Sequence, residues 1–351
     1  MSRQIATLLS MTATTVDAAR SEGSGQLRVH IPHPASDEAL AHLKNHLDPC
    51  ICVTTGDENL EPDLDVLVQG RPSLEQLALY HNLKALIIPY AGVPAETRTL
   101  LMEAYPKLPV YNLHHNAVAA SELALALFLA AAKTLIPVDR KFRAHDWRSR
   151  YGGAPIMLLE GKTAVILGFG AIGSRLATLC LALGMQVHVV RRQIGKQYPE
   201  PIIAHSLDEL PSLLPMANAL FIALPLTPKT EGLIGANEIS LLSPSCVLVN
   251  IARGAVVDEQ ALYQALKEKR IAAAGIDVWY NYPQSPGSRA STPPSQFPFH
   301  KLENVVMSPH RGGAFQLQEL ERQRMSDLAS TLNAISRGEA IPHRVDLHAG
   351  Y

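Results

Sequence analysis

Along this chain, short apolar runs rich in Val, Ile and Leu alternate with longer segments whose apolar residues recur at helical spacing. In the first third, LRVHI (27–31), ICVTT (51–55), DVLVQG (65–70) and LKALIIPYAGV (83–93) read as strands, with helices predicted over 36–47 and 73–80. VYNL at 110–113 reads as a further strand. The pattern predicts a small βαβ sheet. A strongly apolar helix over 117–135 follows, then a charged stretch carrying Asp146 and Trp147. So apolar a helix belongs in a core or an interface, and the expectation is that it helps close a cleft and form a dimer. From 163 the alternation resumes with a strand at 163–167, a helix over 174–183 and a strand at 185–190. A helical segment at 207–210, ALFIALPLT (219–227), CVLVNIARG (246–254), a helix over 259–267, AAAGIDVW (272–279) and VVMSPHRGG (305–313) complete the series. This second half predicts a doubly wound parallel sheet with ligand at the carboxyl ends of its strands.

One junction in that series carries its own chemistry. The strand at 163–167 runs directly into Gly168-Phe169-Gly170-Ala171-Ile172-Gly173 and then into a helix. Gly168 permits a tight turn, Gly170 lets the backbone approach a pyrophosphate, and Gly173 lets helix and strand pack closely. Free N–H groups at the helix start would then hold the negative charge, so the stretch predicts a dinucleotide site. The next strand ends where the adenosine ribose should lie, and Arg191 and Arg192 stand there with Lys196 nearby. No Asp or Glu occurs between 161 and 199 to take ribose hydroxyls. Two guanidiniums suit a 2′-phosphate, which favours NADP(H) over NAD(H); the bland alternative is a solvated basic loop.

Length and composition narrow the rest. At 351 residues, 47% of them hydrophobic, two domains are expected. A formal charge of −1 gives no electrostatic reason to expect nucleic acid or an anionic membrane as partner. The four cysteines are scattered and suit reduced thiols in a cytoplasmic protein; Cys50 and Cys52 lack a second pair of ligands, and no metal is assigned. Residues 1–25, rich in Ser, Thr and Ala, read as an N-terminal extension.

Taken in order, LEGKTAVILGFGAIG, LPLTPKTEGLIG, VNIARGAVVDEQAL, GIDVW and VVMSPHRGG resemble the D-isomer-specific 2-hydroxyacid dehydrogenase family. The resemblance implies an α/β protein of two domains: a Rossmann doubly wound parallel sheet over 117–313 and a smaller flavodoxin-like α/β substrate domain over 26–116 and 314–351. It further implies a homodimer. On the cofactor it implies contacts from Leu224, Pro225, Thr230, Ile251, Ala252, Arg253, Asp277, His310 and Gly312, with Asp277 fixing the nicotinamide amide. For catalysis it implies that Arg253 holds the substrate carboxylate and that His310 is the acid and base.

The third catalytic position departs from the family, which places a glutamate just before a Pro. Here the residue before Pro283 is Tyr282. A phenol can hydrogen-bond an imidazole, but with an unperturbed pKa near 10 it carries no charge at neutral pH, so an acid-shifted optimum for reduction is expected. In the first domain, Tyr90-Ala91-Gly92 match the position of the family's carboxylate-binding loop; an ordinary glycine turn is the alternative. His114 and His115 suit turn or packing roles, and the Pro- and Ser-rich loop 284–299 is a surface excursion near the site. Two readings follow. One is an NADP(H)-preferring reductase of small 2-keto acids, or a dehydrogenase with an atypical substrate because the glutamate is absent, and the other is a nucleotide-sensing binding protein of the corepressor kind.

Overall fold

The computed structural model describes residues 26–34, 36–56, 62–152, 156–192, 199–313, 317–341 and 344–350. The N-terminal extension, Lys196 and the predicted domain boundary at 314 lie outside them. The chain divides into two compact units, Met1–His115 with Gln318–Tyr351, and Asn116–Leu317.

In unit 1, β1 (Leu27–Ile31), β2 (Ile51–Thr55), β3 (Val66–Val68), β4 (Ala85–Ile88) and β5 (Val110–Asn112) form one sheet in the order β2-β1-β3-β4-β5. Every pairing is parallel. Three helices cross between strands: α1 (Asp37–Asn45), α2 (Leu74–Ala78) and α3 (Ala95–Ala104). Ser36 starts α1 by accepting the Ala39 N–H, and Ser73 and Gln76 close a capping box on α2. The C-terminal helix Gln318–Arg337, whose Met325, Leu328 and Leu332 are buried, packs on α1 and completes one face of the core.

Unit 2 begins with α4 (Ala117–Ala132), α5 (Leu135–Arg143) and α6 (Arg148–Tyr151). Its sheet contains β6 (Thr163–Leu167), β7 (Gln186–Val190), β8 (Ile203–His205), β9 (Ala219–Ile222), β10 (Val247–Asn250), β11 (Ala273–Ile276) and β12 (Val305–Met307). They lie in the order β12-β11-β10-β9-β6-β7-β8, all parallel. Chain order reverses between β6 and β9, and that switch point is where an open α/β sheet takes its ligand. The remaining helices are α7 (Ala171–Ala182), α8 (Leu210–Leu213), α9 (Ala236–Leu241) and α10 (Glu259–Lys267).

The apolar helix α4 packs against α7, β10, β11 and β12. Its buried face is built from Ala117, Ala120, Ala124, Leu127, Phe128 and Ala131, small enough for close approach to the sheet. A Cβ at Gly275 on β11 would lie 2.8 Å from the Leu127 Cβ, so glycine there sets the distance between helix and sheet. This helix therefore serves the core of its own unit. Exposed apolar side chains come after it instead: Leu135, Ile136, Phe142, Trp147, Tyr151, Ile156 and Leu158. The loop after Tyr282 is anchored rather than loose, because Glu259 on α10 accepts hydrogen bonds from Ser295 Oγ (2.5 Å) and from the Gln296 N–H (3.0 Å).

Candidate active site

Steric limits fix the glycine turn after β6. Gly168 has φ +97°, and a Cβ there would lie 2.6 Å from the Ala223 carbonyl oxygen. At Gly173 a Cβ would lie 1.9 Å from the Gly168 carbonyl oxygen, so neither position admits a side chain. Gly170 is different: a Cβ there meets nothing within 4 Å. The loop thus offers open space at Gly170, ahead of Ala171 and Ile172, the first residues of α7. That shape fits a pyrophosphate held at a helix start. Leu224, partly buried, leans on Gly168 from the end of β9. Thr230 does not reach outward: its hydroxyl lies 2.6 Å from the Pro225 carbonyl, to which it donates, and accepts the Thr227 N–H at 2.8 Å, shaping the turn from within.

Arg191 and Arg192 follow β7, and the Arg191 N–H donates to the His205 carbonyl at 3.0 Å. Beside them lies a cluster that sequence reasoning missed. His188 Nδ1 and His205 Nε2 are 2.9 Å apart with stacked rings, and His205 Nδ1 lies 2.9 Å from Glu209 Oε2. A carboxylate only accepts, so His205 donates from Nδ1 and its Nε2 accepts from His188. Hydrogen bonds from His205 and from the Ser206 N–H pull the Glu209 carboxyl down to about 2. Burial, helped by His205, keeps His188 below the usual histidine range.

At the other side of the switch point, Arg253, Asp277, Tyr282, His310 and Gly312 come together around the ends of β10, β11 and β12. Asn250, at the end of β10, shapes the first turn: its Oδ1 accepts the Ala252 N–H (3.1 Å) and its Nδ2 donates to the Arg253 carbonyl (3.0 Å). Ile251 and Ala252 are buried by this arrangement while Arg253 is exposed. A Cβ at Gly254 would lie 2.4 Å from the Trp279 carbonyl oxygen, so the Arg253 turn presses directly on the strand end that carries Tyr282.

Asp277, 1% exposed, organises the histidine loop. Its Oδ1 accepts the Ser308 hydroxyl (2.6 Å) and the Arg311 N–H (2.7 Å), its Oδ2 the Gly312 N–H (2.8 Å), and its carbonyl the His310 N–H (2.7 Å). His310 itself sits at φ +56°, a left-handed conformation that a non-glycine residue keeps only when its surroundings impose it. Burial and the nearby Arg253 guanidinium hold its imidazole below the usual histidine range, against an opposing pull from Asp277. Among the described residues no side chain or backbone group hydrogen-bonds either ring nitrogen, so both are open to a bound molecule.

Tyr282 stands beside that ring, with centroids 5.5 Å apart and planes at 58°. No phenol–imidazole hydrogen bond is made; the Tyr282 oxygen accepts the Trp279 backbone N–H at 3.1 Å. Mainly through desolvation, the phenol is raised above its ordinary range and stays protonated. Trp279 also donates its indole N–H to the Ser308 carbonyl at 2.8 Å, linking Tyr282 to the histidine loop. Asn250, Ser308 and Trp279 were not singled out in the sequence; the one available signal was their place beside the arginine, histidine and aspartate motifs.

Tyr90, Ala91 and Gly92 belong to unit 1, just after β4. The Tyr90 ring lies over Gly70, where a Cβ would come within 2.0 Å of its hydroxyl, and burial raises the phenol. His115, held down to about 4 by burial and by Arg324, is a neutral packing residue at neutral pH.

The family pattern of the D-isomer specific 2-hydroxyacid dehydrogenase NAD binding domain matches residues 125–312. Glyoxylate reductase of Thermococcus litoralis is 36% identical over 289 residues, 80% of this chain and 79% of its own length. D-3-phosphoglycerate dehydrogenase of Archaeoglobus fulgidus is 32% identical over 295 residues, 81% of this chain but 53% of its own, so this chain spans about half of that relative. The fold is shared with a D-isomer specific 2-hydroxyacid dehydrogenase from Xanthobacter autotrophicus solved with NADPH and MES, at TM-score 0.76 and 24% identity over 94% of this chain and all of that one. On the strength of the matched domain and of the relative covered over most of its length, the chain belongs to the D-isomer specific 2-hydroxyacid dehydrogenase family.

Proposed function

We propose that this protein is an NADP(H)-preferring oxidoreductase that reduces a small 2-keto acid, of the glyoxylate or hydroxypyruvate kind, to the D-2-hydroxy acid. The observation that carries the reading is the pairing of Arg253 with an imidazole, His310, whose ring nitrogens are open and whose loop is pinned by Asp277. The likeness to a protein named glyoxylate reductase supports it.

Arg253 grips the substrate carboxylate and polarises the keto oxygen. Protonated His310 gives that oxygen a proton as the carbon gains its new hydrogen, and neutral His310 takes the proton back in the reverse direction. The nicotinamide, when bound, supplies or accepts the hydride. Asp277 Oδ2, whose one donor among the described residues is the Gly312 N–H, would keep an acceptor site for the carboxamide N–H. Arg191 and Arg192 would hold a 2′-phosphate, and in unit 1, taken by itself, the backbone turn at Tyr90, Ala91 and Gly92 would suit an anionic group. The exposed apolar side chains Leu135, Ile136, Phe142, Trp147, Tyr151, Ile156 and Leu158 are assigned to the homodimer contact, since apolar side chains clustered in one part of the chain mark an association surface.

Turnover of glyoxylate and hydroxypyruvate with NADPH and with NADH tests the reading. Oxidation of NADPH that is lost in Arg253→Ala and His310→Ala is expected. Tight nucleotide binding without oxidation across a panel of keto acids would support a sensor instead.

A further inference from the structure

We infer that Tyr282 is a catalytic residue of a kind its neighbours do not supply: a neutral hydrogen-bond donor, fixed in place by Trp279, that reaches the substrate oxygen beside His310. The inference rests on the reading of the site as one that binds 2-keto acids. Because the Trp279 N–H donates to the Tyr282 oxygen at 3.1 Å, the oxygen is located by the backbone and used as an acceptor. The hydroxyl proton is left over. Among the described residues no acceptor takes it, and the residue is 39% exposed, so the donor is open to a molecule that occupies the site.

Its neighbours say what that occupant meets. The imidazole of His310 is 5.5 Å away between centroids and Arg253 bears electrostatically on both rings. A keto oxygen placed for protonation by His310 is then also within the sphere of Tyr282. As hydride reaches the carbonyl carbon, the carbonyl pair moves onto oxygen and the proton comes from His310. Tyr282 keeps its own proton throughout and stabilises the developing negative charge by hydrogen bonding. A carboxylate at this position would do the opposite: it would repel that charge while keeping more of His310 protonated. Tyr282 thus exchanges a larger protonated fraction of His310 for an added oxyanion donor.

Trp279 makes the arrangement rigid. Its backbone N–H sets the phenol, its indole N–H holds the Ser308 carbonyl two residues before His310, and its carbonyl abuts Gly254 next to Arg253. One residue therefore registers all three groups against each other.

The test compares wild type with Tyr282→Phe, which keeps the ring and removes only the oxygen, in the full-length protein. The expected result is a fall in kcat/KM for glyoxylate of about 10- to 100-fold, the scale of one lost oxyanion donor. NADPH affinity should stay unchanged, Tm should fall only slightly because the Trp279 N–H loses its acceptor, and the pH at which the reductive rate falls should not move, because the phenol does not titrate there. A second readout needs no turnover: oxamate, an unreactive keto-acid mimic, is titrated into the protein saturated with NADP+. About tenfold weaker oxamate binding to Tyr282→Phe is expected. If the wild type proves inactive while oxamate binding still weakens in the variant, the reductase reading falls and the donor stands. Oxamate binding and glyoxylate turnover both within twofold of wild type would overturn the donor.

Discussion

Two loops at the carboxyl ends of the same sheet do different work and are held by different means. The turn after β6, at 168–173, is held by exclusion: Gly168 and Gly173 have no room for a Cβ, and the backbone can follow only one path. The loop after β12, at 308–312, contains a histidine in a left-handed conformation and is held by attraction, through a buried carboxylate on a neighbouring strand end. Exclusion leaves a mark in the local sequence, since only one residue type is tolerated. Attraction from Asp277 leaves none, because its partners are two backbone N–H groups and a serine more than thirty residues away in the chain.

The sharpest way to break the comparison is at Gly173. Its Cβ would sit 1.9 Å from a backbone oxygen, so Gly173→Ala has to displace either α7 or the turn. Loss of measurable NADPH binding and destabilisation of about 1–3 kcal/mol are expected, read by nucleotide titration and thermal melting. Gly170→Ala is the control, because its Cβ enters open space: the fold should be untouched and only nucleotide affinity reduced. Equal damage from both would refute the steric account.

Next in size is the attractive loop. Asp277→Asn keeps the shape but replaces one acceptor oxygen by an N–H donor, leaving at least one buried donor facing another. With the acid no longer positioned, kcat should fall on the order of 100-fold, within the range that general acid catalysis supplies. Stability should drop by about 1–3 kcal/mol. NADPH binding through the glycine turn should survive, which separates the two loops experimentally.

These contrasts also say how much was legible beforehand. The parallel α/β halves, the glycine turn and the arginine and histidine motifs could be read because strand periodicity and glycine spacing are local properties. The short helices α5 and α6 and the C-terminal helix Gln318–Arg337 were not assigned. α5 buries no residue at all, α6 is a single turn, and the C-terminal helix buries its apolar face against α1, far away in the chain. The apolar helix α4 looked fit for core or interface alike; only packing against Gly275 and β10–β12 assigns its small face to the core. Tyr282 was recognised as a departure, yet the partner of its hydroxyl was missed because that partner is a main-chain N–H, which no sequence displays.

A smaller effect is expected at the adenosine end. Replacing both Arg191 and Arg192 with Ala removes charge-assisted contacts to a 2′-phosphate, so NADPH should bind about 10- to 100-fold more weakly while NADH is unaffected. Parallel loss for both nucleotides would mean that the pair is a solvated basic surface.

Protonation gives a finer contrast within the catalytic loop. His310 lies below the usual histidine value, so its acid form is scarce at neutral pH. Reduction should accelerate as pH falls below about 6.5, and oxidation should hold its rate down into the same region. Tyr282→Glu should move the reductive profile up by about 1–3 pH units, the usual effect of a close carboxylate. An unmoved profile would show that position 282 does not bear on the imidazole.

The smallest effect belongs to the cluster on β7 and β8, where the charge sits in a structural network rather than at a reacting atom. Glu209 has its carboxyl lowered to about 2 from 4.5, so its contribution to stability is complete above pH 4.5 and is lost as pH falls toward 2. His188 is lowered as well: neutral in both states above 6.5, it begins to favour the unfolded chain once pH drops below that value. Acid should therefore weaken the wild type in two stages, with His188 acting first. Melting of wild type and Glu209→Gln at pH 7, 5 and 3 should show the gap between them shrinking only below pH 4.5. A gap that already closes between 7 and 5 would mean that the Glu209 carboxylate is not what holds this cluster.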